Sequence, residues 1–238
     1  MLTCAVSGNI FASPSVSQIF NALNVIGGHS GTRAGTLLIV KNYTGDVLNF
    51  SLAASKASAA GLPTATVVVG DDVSVGRAKG GKVGRRGLAG TVFVHKIAGS
   101  LAKSGAALPE VQKMAQEVAD NLVTVGASLD HVHVPGRGAE TAEFLGKDEL
   151  ELGMGIHNEP GCRKISPVPA LPSLVEEMLK MLLDNSDRDR YYVDFADSSR
   201  SKVTVMINNL GGLSVLELGG VAKEVFAQLG KLASSTDD

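Results

Sequence analysis

The strongest constraint on the fold is a pair of short β-branched runs that flank an alanine-rich segment. Residues 35–40 (GTLLIV) and 65–69 (ATVVV) have the composition of buried strands. Residues 46–60 place apolar side chains near helical spacing, and the Gly-Leu-Pro sequence at 61–63 ends the helix. A helix that joins two strands of one sheet makes them parallel. The sequence therefore predicts an α/β fold with a mostly parallel sheet flanked by helices.

The other apolar patterns predict further elements. Helices are expected at about 91–103, 109–125, 173–183 and 215–229, strands at 129–134 and 202–208, and a short extended segment at 150–157. The glycine-rich, basic residues 70–90 predict a loop, and residues 232–238 predict a frayed tail. We expect two subdomains: residues 1–145 form the first, and residues 146–238 form a second, smaller and incomplete α/β subdomain.

Composition and charge argue against two classes of partner. The net charge of -2 provides no basic surface for nucleic acid or an anionic membrane. No apolar run approaches the length of a membrane span, and the N-terminus lacks the pattern of a signal peptide. Cys4 and Cys162 are far apart and have no zinc-ligand spacing. We therefore expect reduced thiols and a cytoplasmic location, with neither nucleic acid nor a membrane as a partner.

The segment from Lys41 to Asp46 (KNYTGD) lies directly after the first predicted strand and directly before a helix. In an open α/β sheet, ligands bind beyond the carboxyl ends of the strands, which is where this loop falls. The structural alternative is a turn in which Asp46 caps the helix.

A second candidate is His157, which lies in the sequence GMGIHNEPG at 153–161. A neutral imidazole can act as a nucleophile or a general base, and glycine allows other groups to approach closely. A surface turn that contains an incidental histidine is the alternative. His131 and His133 alternate on a predicted strand but have no third ligand, so we assign them, with His29 and His95, structural roles.

The glycine-rich loop at 70–90 contains basic residues that could bind phosphate. It lacks both the GxxxxGK[ST] and the GxGxxG arrangements, however. Arg85 and Arg86 could instead pair with Asp71 or Asp72, or face solvent.

Six ordered motifs resemble the dihydroxyacetone kinase family. They are FASPS at 11–15, LLIVKNYTGDVLNF at 37–50, GDDVSV at 70–75, GRRGLAGTVFVHKIAG at 84–99, GMGIHNEPG at 153–161 and NNLGGLSVLEL at 208–218. The variants, including VGASLDHVHVPGR at 125–137, look most like the fungal and other eukaryotic ATP-dependent members.

This resemblance implies a function and three site residues. His157 would attack the carbonyl carbon of dihydroxyacetone, or of D-glyceraldehyde, and hold it as a hemiaminal. Asp46 would lie by the hydroxyl that receives phosphate and act as its general base or orient it, and Lys41 would line the same pocket. ATP and Mg²⁺ would be bound by a separate nucleotide-binding domain that the family carries and this chain lacks.

The resemblance also leads us to expect a kinase chain truncated at both ends. It would lack an N-terminal GGGSGHEP-like loop and further strands of the second subdomain, so it would not turn over alone. The alternative is a non-catalytic binding protein or transcriptional co-regulator of the same fold, and loss of all function is a third. The family commonly dimerises through this region, which leaves a homodimer open.

Overall fold

The computed structural model describes residues 1–29, 34–81, 83–136, 145–195 and 202–234. It divides into two compact units, Met1–Thr124 and Val125–Asp238. This division falls before the expected position at 145/146. The reason is that a strand at Ala127–Ser128 pairs with one at Leu150–Leu152 and so ties residues before 145 to the second unit. Lys82 of the predicted loop and residues 235–238 of the predicted tail lie outside the described residues.

The first unit contains the predicted strand–helix–strand arrangement. Strand β1 (Thr36–Lys41), helix α2 (Thr44–Ala59) and strand β2 (Thr64–Val69) follow one another, and the two strands are parallel. Their register runs from Thr36 opposite Thr64 to Lys41 opposite Val69. The α/β class predicted from the sequence is confirmed.

Helices cover both faces of this sheet. They are α1 (Val16–His29), α2, α4 (Thr91–Lys103) and α5 (Leu108–Asp120), whereas α3 (Arg77–Gly80) is a single turn within the glycine-rich loop. Leu38 and Val40 of β1 pack in one core with residues of α1 and α2. Val67 and Val69 of β2 pack in a second core with residues of α4 and α5. Side chains of a strand alternate between faces, so these two strands supply both cores.

The predicted bounds of α4 agree with the structure, whereas α5 ends earlier than expected. Helix α1 was not predicted, although Ser15 and Gln18 carry a signal for it. The Gln18 backbone N–H donates to Ser15 Oγ, and the Ser15 N–H donates to Gln18 Oε1. This reciprocal pair is a capping box, which marks the start of a helix.

The second unit contains a small antiparallel sheet and two longer helices. Strands β3 (Ala127–Ser128), β4 (Leu150–Leu152) and β5 (Arg163–Ile165) pair in that order. Helices α6 (Leu171–Leu183) and α7 (Val215–Ser234) pack against each other. None of the helices in the described ranges is long and apolar enough to cross a membrane.

Two strand predictions in this unit were wrong. Residues 129–134 form no strand, and the backbone of Val132 binds the side chain of Asn158 rather than a neighbouring strand. Residues 202–208 also have no regular secondary structure, although their sequence is apolar and β-branched. A strand needs a neighbour that pairs with its backbone, and no strand in the described part of the chain does so here.

The core assignment on α4 gives a first prediction. Val94 is 0% exposed, and replacing it by Ala should lower the free energy of unfolding by about 2 kcal/mol, because the lost methyl groups leave a cavity. Val92 lies on the same helix but is 41% exposed, so Val92→Ala is the matched control. Urea denaturation measures both variants. Equal losses would contradict the placement of Val94 in the core.

Candidate functional site

The connection between β1 and α2 carries two of the candidate residues of the first unit. Lys41 is the last residue of β1, and Asp46 lies in the first turn of α2. The Asn42 N–H donates to the Val69 carbonyl at 2.8 Å, so the backbone stays close to β2 beyond the end of β1. The carboxyl ends of parallel strands are where α/β sheets bind ligands. Lys41 and Asp46 therefore occupy the position expected from the sequence.

The side chains of Asn42 and Tyr43 hold a second loop beside this connection. Asn42 Nδ2 donates to the carbonyl oxygens of Val83 and Arg85, each at 2.7 Å. The Tyr43 hydroxyl donates to the Gly87 carbonyl at 3.0 Å. A Cβ atom at position 87 would lie 2.7 Å from a carbonyl oxygen of β2, which is closer than packing permits. Glycine at this position lets the loop approach the sheet.

Asp71, which follows β2 and is 0% exposed, fixes the far end of the same loop. Its Oδ1 accepts the backbone N–H of Leu88 at 2.6 Å, and its Oδ2 accepts that of Gly90 at 2.9 Å. The Thr124 hydroxyl donates to Oδ2 at 2.5 Å. These three donors satisfy a carboxylate that water does not reach.

Asp72 holds the middle of the loop through Arg86. The Arg86 guanidinium lies 2.7 Å from Asp72 Oδ2, and Ser74 donates to Oδ1 through its hydroxyl at 2.6 Å. Burial raises the pKa of Asp72 above its ordinary value, and the bonds from Ser74 and the charge of Arg86 only partly offset this effect. Arg85 donates instead to the Leu122 carbonyl at 2.8 Å. Both arginines of the predicted basic loop are thus engaged within the chain.

The Asp71 network gives a second prediction. Asp71→Asn should lower the free energy of unfolding by about 3 kcal/mol, because an amide NH₂ would face backbone N–H groups that then lose a buried acceptor. Asp120→Asn is the matched control, since Asp120 is exposed on α5 and accepts one bond from Gln116. Denaturant titration of both variants checks the result. A loss no greater than that of the control would contradict the role given to Asp71.

Asp46 and Lys41 differ in their surroundings. Within the described residues no hydrogen bond or ion pair holds the Asp46 carboxylate, which lies in the first turn of α2. Lys41 Nζ lies 6.0 Å from the centre of the Tyr43 ring. Burial, and then the positive charge of Lys41, lower the pKa of His95 on α4.

In the second unit, the candidate residue His157 lies in the loop between β4 and β5. The Gly155 N–H donates to the Glu159 carbonyl at 2.9 Å, and the Asn158 N–H donates back to the Gly155 carbonyl at 3.2 Å. At its far end the Gly161 N–H donates to Glu151 Oε1 at 2.7 Å. The loop is therefore held by its own backbone and by a buried carboxylate.

Glu159 binds both the backbone and the ring of His157. Glu159 Oε2 accepts the His157 N–H at 2.9 Å, and Oε1 lies 2.7 Å from His157 Nδ1. An ionised carboxylate can only accept, so Nδ1 carries a proton, and in a neutral ring the lone pair is then on Nε2. Burial raises the pKa of Glu159, but the bonds from the His157 side chain and backbone outweigh it, and the pKa lies below its ordinary value of 4.5.

This pair gives a prediction on pH. Because the folded-state pKa of Glu159 is depressed, the stability it contributes is present above pH 4.5 and is lost as the pH falls through its folded-state pKa. Relative to its intrinsic rate, hydrogen exchange of the His157 amide should become faster as the pH falls over that range, since protonation weakens the acceptor of its N–H. Glu159→Gln, which has no such titration, is the control. A wild-type exchange rate that follows only the intrinsic pH dependence would contradict this prediction.

Two of the other histidines, His131 and His133, have carboxylate partners. His131 Nε2 is 3.4 Å from Glu151 Oε2, and His133 Nε2 is 3.4 Å from Asp130 Oδ2. The side chain of His29 lies outside the described residues. Across the described ranges, no three histidine, cysteine or carboxylate side chains are grouped so that they could hold a metal ion.

Of the predicted residues, Lys41 and Asp46 belong to the first unit and His157 to the second. Sequence reasoning did not identify Glu159, Asn42 or Tyr43. The His-x-Glu spacing was a signal for Glu159, since its side chain reaches back over two residues. Asn42 carried no comparable signal, because its partners lie 41 and 43 positions away.

Comparison with known proteins assigns a family to this arrangement. The model of the Dak1 domain matches residues 1–236. Dihydroxyacetone kinase 2 of Saccharomyces cerevisiae is 52% identical over 96% of this chain, and the match covers 37% of that protein. The chain thus spans little more than a third of the length of the curated relative.

Solved structures agree with the sequence match. The dihydroxyacetone kinase of C. freundii has a TM-score of 0.76 and 38% identity, over 91% of this chain and 36% of that one. The same enzyme has been solved in complex with AMP-PNP and Mg²⁺. The dihydroxyacetone kinase operon co-activator Dha-DhaQ has a TM-score of 0.78 and 26% identity, over 94% of this chain and 64% of that one.

Proposed function

Because this chain belongs to the Dak1 domain family, we propose that it is the substrate-binding part of an ATP-dependent dihydroxyacetone kinase. Its substrates are short carbonyl compounds, dihydroxyacetone and D-glyceraldehyde, and His157 holds them covalently. The observation that carries this proposal is the bond between His157 Nδ1 and Glu159, which leaves the lone pair of the ring on Nε2.

The covalent step is an addition in which no atom is lost. The Nε2 lone pair of His157 forms a bond to the carbonyl carbon, and the π electrons of the carbonyl move to its oxygen, which takes up a proton. Positive charge develops on the imidazole as this bond forms. The Glu159 carboxylate, which accepts the Nδ1 proton, stabilises that charge and can take the proton. The product is a hemiaminal.

Selectivity follows from this chemistry. A triose is small and polar, so it offers little apolar area for binding. A reversible bond to a carbonyl carbon excludes glycerol, which has no carbonyl group, without the need for an extensive pocket.

Asp46 and Lys41 act on the rest of the substrate in this proposal. Asp46 accepts the proton of the hydroxyl that receives phosphate, a role that suits a carboxylate with no hydrogen-bond partner in the described residues. Lys41, at the end of β1, lines the pocket and offers a cationic donor to a substrate oxygen.

We propose that this chain does not itself hold ATP and Mg²⁺. Within the described ranges no three ligand side chains are grouped for a metal ion, and Arg86 of the glycine-rich loop is paired with Asp72. We propose that the donor is bound by a separate nucleotide-binding domain, as the C. freundii complex with AMP-PNP and Mg²⁺ supports. We also propose a cytoplasmic location, which suits two cysteines that form no disulfide.

A second candidate function is that of a non-catalytic co-regulator. It is favoured by one comparison, the co-activator Dha-DhaQ, whose fold matches over 94% of this chain. The two functions differ in what they require of Asp46. A kinase component needs Asp46 for phosphoryl transfer but not for the adduct, whereas a co-regulator that senses a ketone needs only the adduct.

The proposal predicts a histidine-specific adduct. Mixing the chain with dihydroxyacetone labelled with ¹³C at the carbonyl should move part of that resonance to the region of tetrahedral carbon, and His157→Ala should abolish the new signal. His133→Ala is the matched control, because His133 is an exposed imidazole of the same unit. Circular dichroism verifies that each variant is folded. An adduct that persists in folded His157→Ala would contradict the proposal.

A further inference from the structure

Asn158, the residue after His157, makes an unusual pair of contacts. Its Oδ1 accepts the backbone N–H of Val132 at 2.8 Å, and its Nδ2 donates to the carbonyl of the same residue at 3.0 Å. The two residues are 26 positions apart. One side-chain amide thus binds both backbone groups of Val132, as a neighbouring strand does in a ladder.

The backbone of Asn158 adopts a conformation that suits asparagine better than most residues. Its φ is 63°, in the left-handed region that glycine adopts freely and that asparagine tolerates better than most residues. Glycine at this position would keep the turn but could not reach Val132. Asparagine supplies both the backbone conformation and the two side-chain bonds.

The segment that Asn158 binds is itself anchored to the other end of the loop. Glu151 is 4% exposed; its Oε1 accepts the Gly161 N–H, and its Oε2 lies 3.4 Å from His131 Nε2. Residues 131–132 are therefore tied to the loop at two places, next to His157 and next to Gly161. The contact of Asn158 is the one adjacent to the imidazole.

We propose that Asn158 is a positioning residue for His157, which acts by fixing the turn to Val132. The inference rests on the proposed function, because it concerns how the nucleophile is presented. The internal bonds from Gly155 and Glu159 shape the turn, but they do not attach it to the rest of the unit at this point. Attack on a carbonyl needs a defined direction of approach, so a turn that pivots lowers adduct formation.

Two substitutions separate the bonds from the backbone conformation. Asn158→Gly keeps the left-handed turn and removes both bonds, and Asn158→Asp keeps the acceptor for the Val132 N–H but removes the donor. The matched control is Asn209→Gly, because Asn209 also makes two bonds from its side chain to the backbone in the same unit, to Leu213 and Gly211.

The readout is the fraction of the labelled dihydroxyacetone adduct at fixed ligand concentration. Asn158→Gly should reduce the adduct equilibrium constant about tenfold, Asn158→Asp should reduce it less, and Asn209→Gly should leave it near wild type. Wild-type adduct in a folded Asn158→Gly variant would overturn the inference, and so would an equal loss in Asn209→Gly.

A second measurement separates this inference from the proposed function. If wild type forms no adduct, the proposed function fails, and hydrogen exchange of the His157 amide still reports on positioning. In Asn158→Gly that exchange should be about tenfold faster than in wild type. A turn that is no longer held to Val132 breaks the bond from the His157 N–H to Glu159 more often. Unchanged exchange would overturn the positioning role whether or not an adduct forms.

Discussion

The loop at 84–90 of the first unit depends on buried carboxylates, and that of Asp71 binds two of its backbone N–H groups. Residues 84–90 have no strand or helix to satisfy their backbone, and they pass close to the ends of β1 and β2. The two oxygens of Asp71 take up the N–H groups of Leu88 and Gly90 and also bind Thr124, which lies before the second unit. The conformation of residues 84–90 is thus imposed by an acceptor outside that segment.

In the second unit, two glutamates likewise bind the backbone N–H groups of a loop. Glu151 accepts the Gly161 N–H, and Glu159 accepts the His157 N–H, so carboxylates again take the place of ladder hydrogen bonds in a glycine-rich loop. Glu159 differs in that its second oxygen reaches a catalytic candidate. A carboxylate that shapes the backbone therefore also sets the tautomer of the imidazole, and structure and reactivity share one side chain.

Elements whose sequence signals are local were predicted correctly, whereas elements that depend on distant residues were not. The strand–helix–strand unit and α4 depend on local periodicity, and the sequence contains those signals in full. The predictions of strands at 129–134 and 202–208 failed because an alternating β-branched pattern indicates which face of a strand is buried. It does not identify a neighbouring strand that would pair with it. At 131–132 the partners are the side chains of Glu151 and Asn158, and a contact that depends on residues 20 or more positions away has no periodic signature.

The same limit applies to the site. Lys41, Asp46 and His157 could be named from motifs because each motif is contiguous, and Glu159 could have been found because it lies two residues from His157. Asn42 and Asn158 could not, since each acts on a segment brought near only by the fold. On the proposed mechanism this division has a physical reason. The reaction needs one nitrogen whose lone pair faces a carbonyl carbon, and a contiguous motif can supply that nitrogen. The direction from which the nitrogen approaches the carbon depends instead on the long-range contacts that hold the turn.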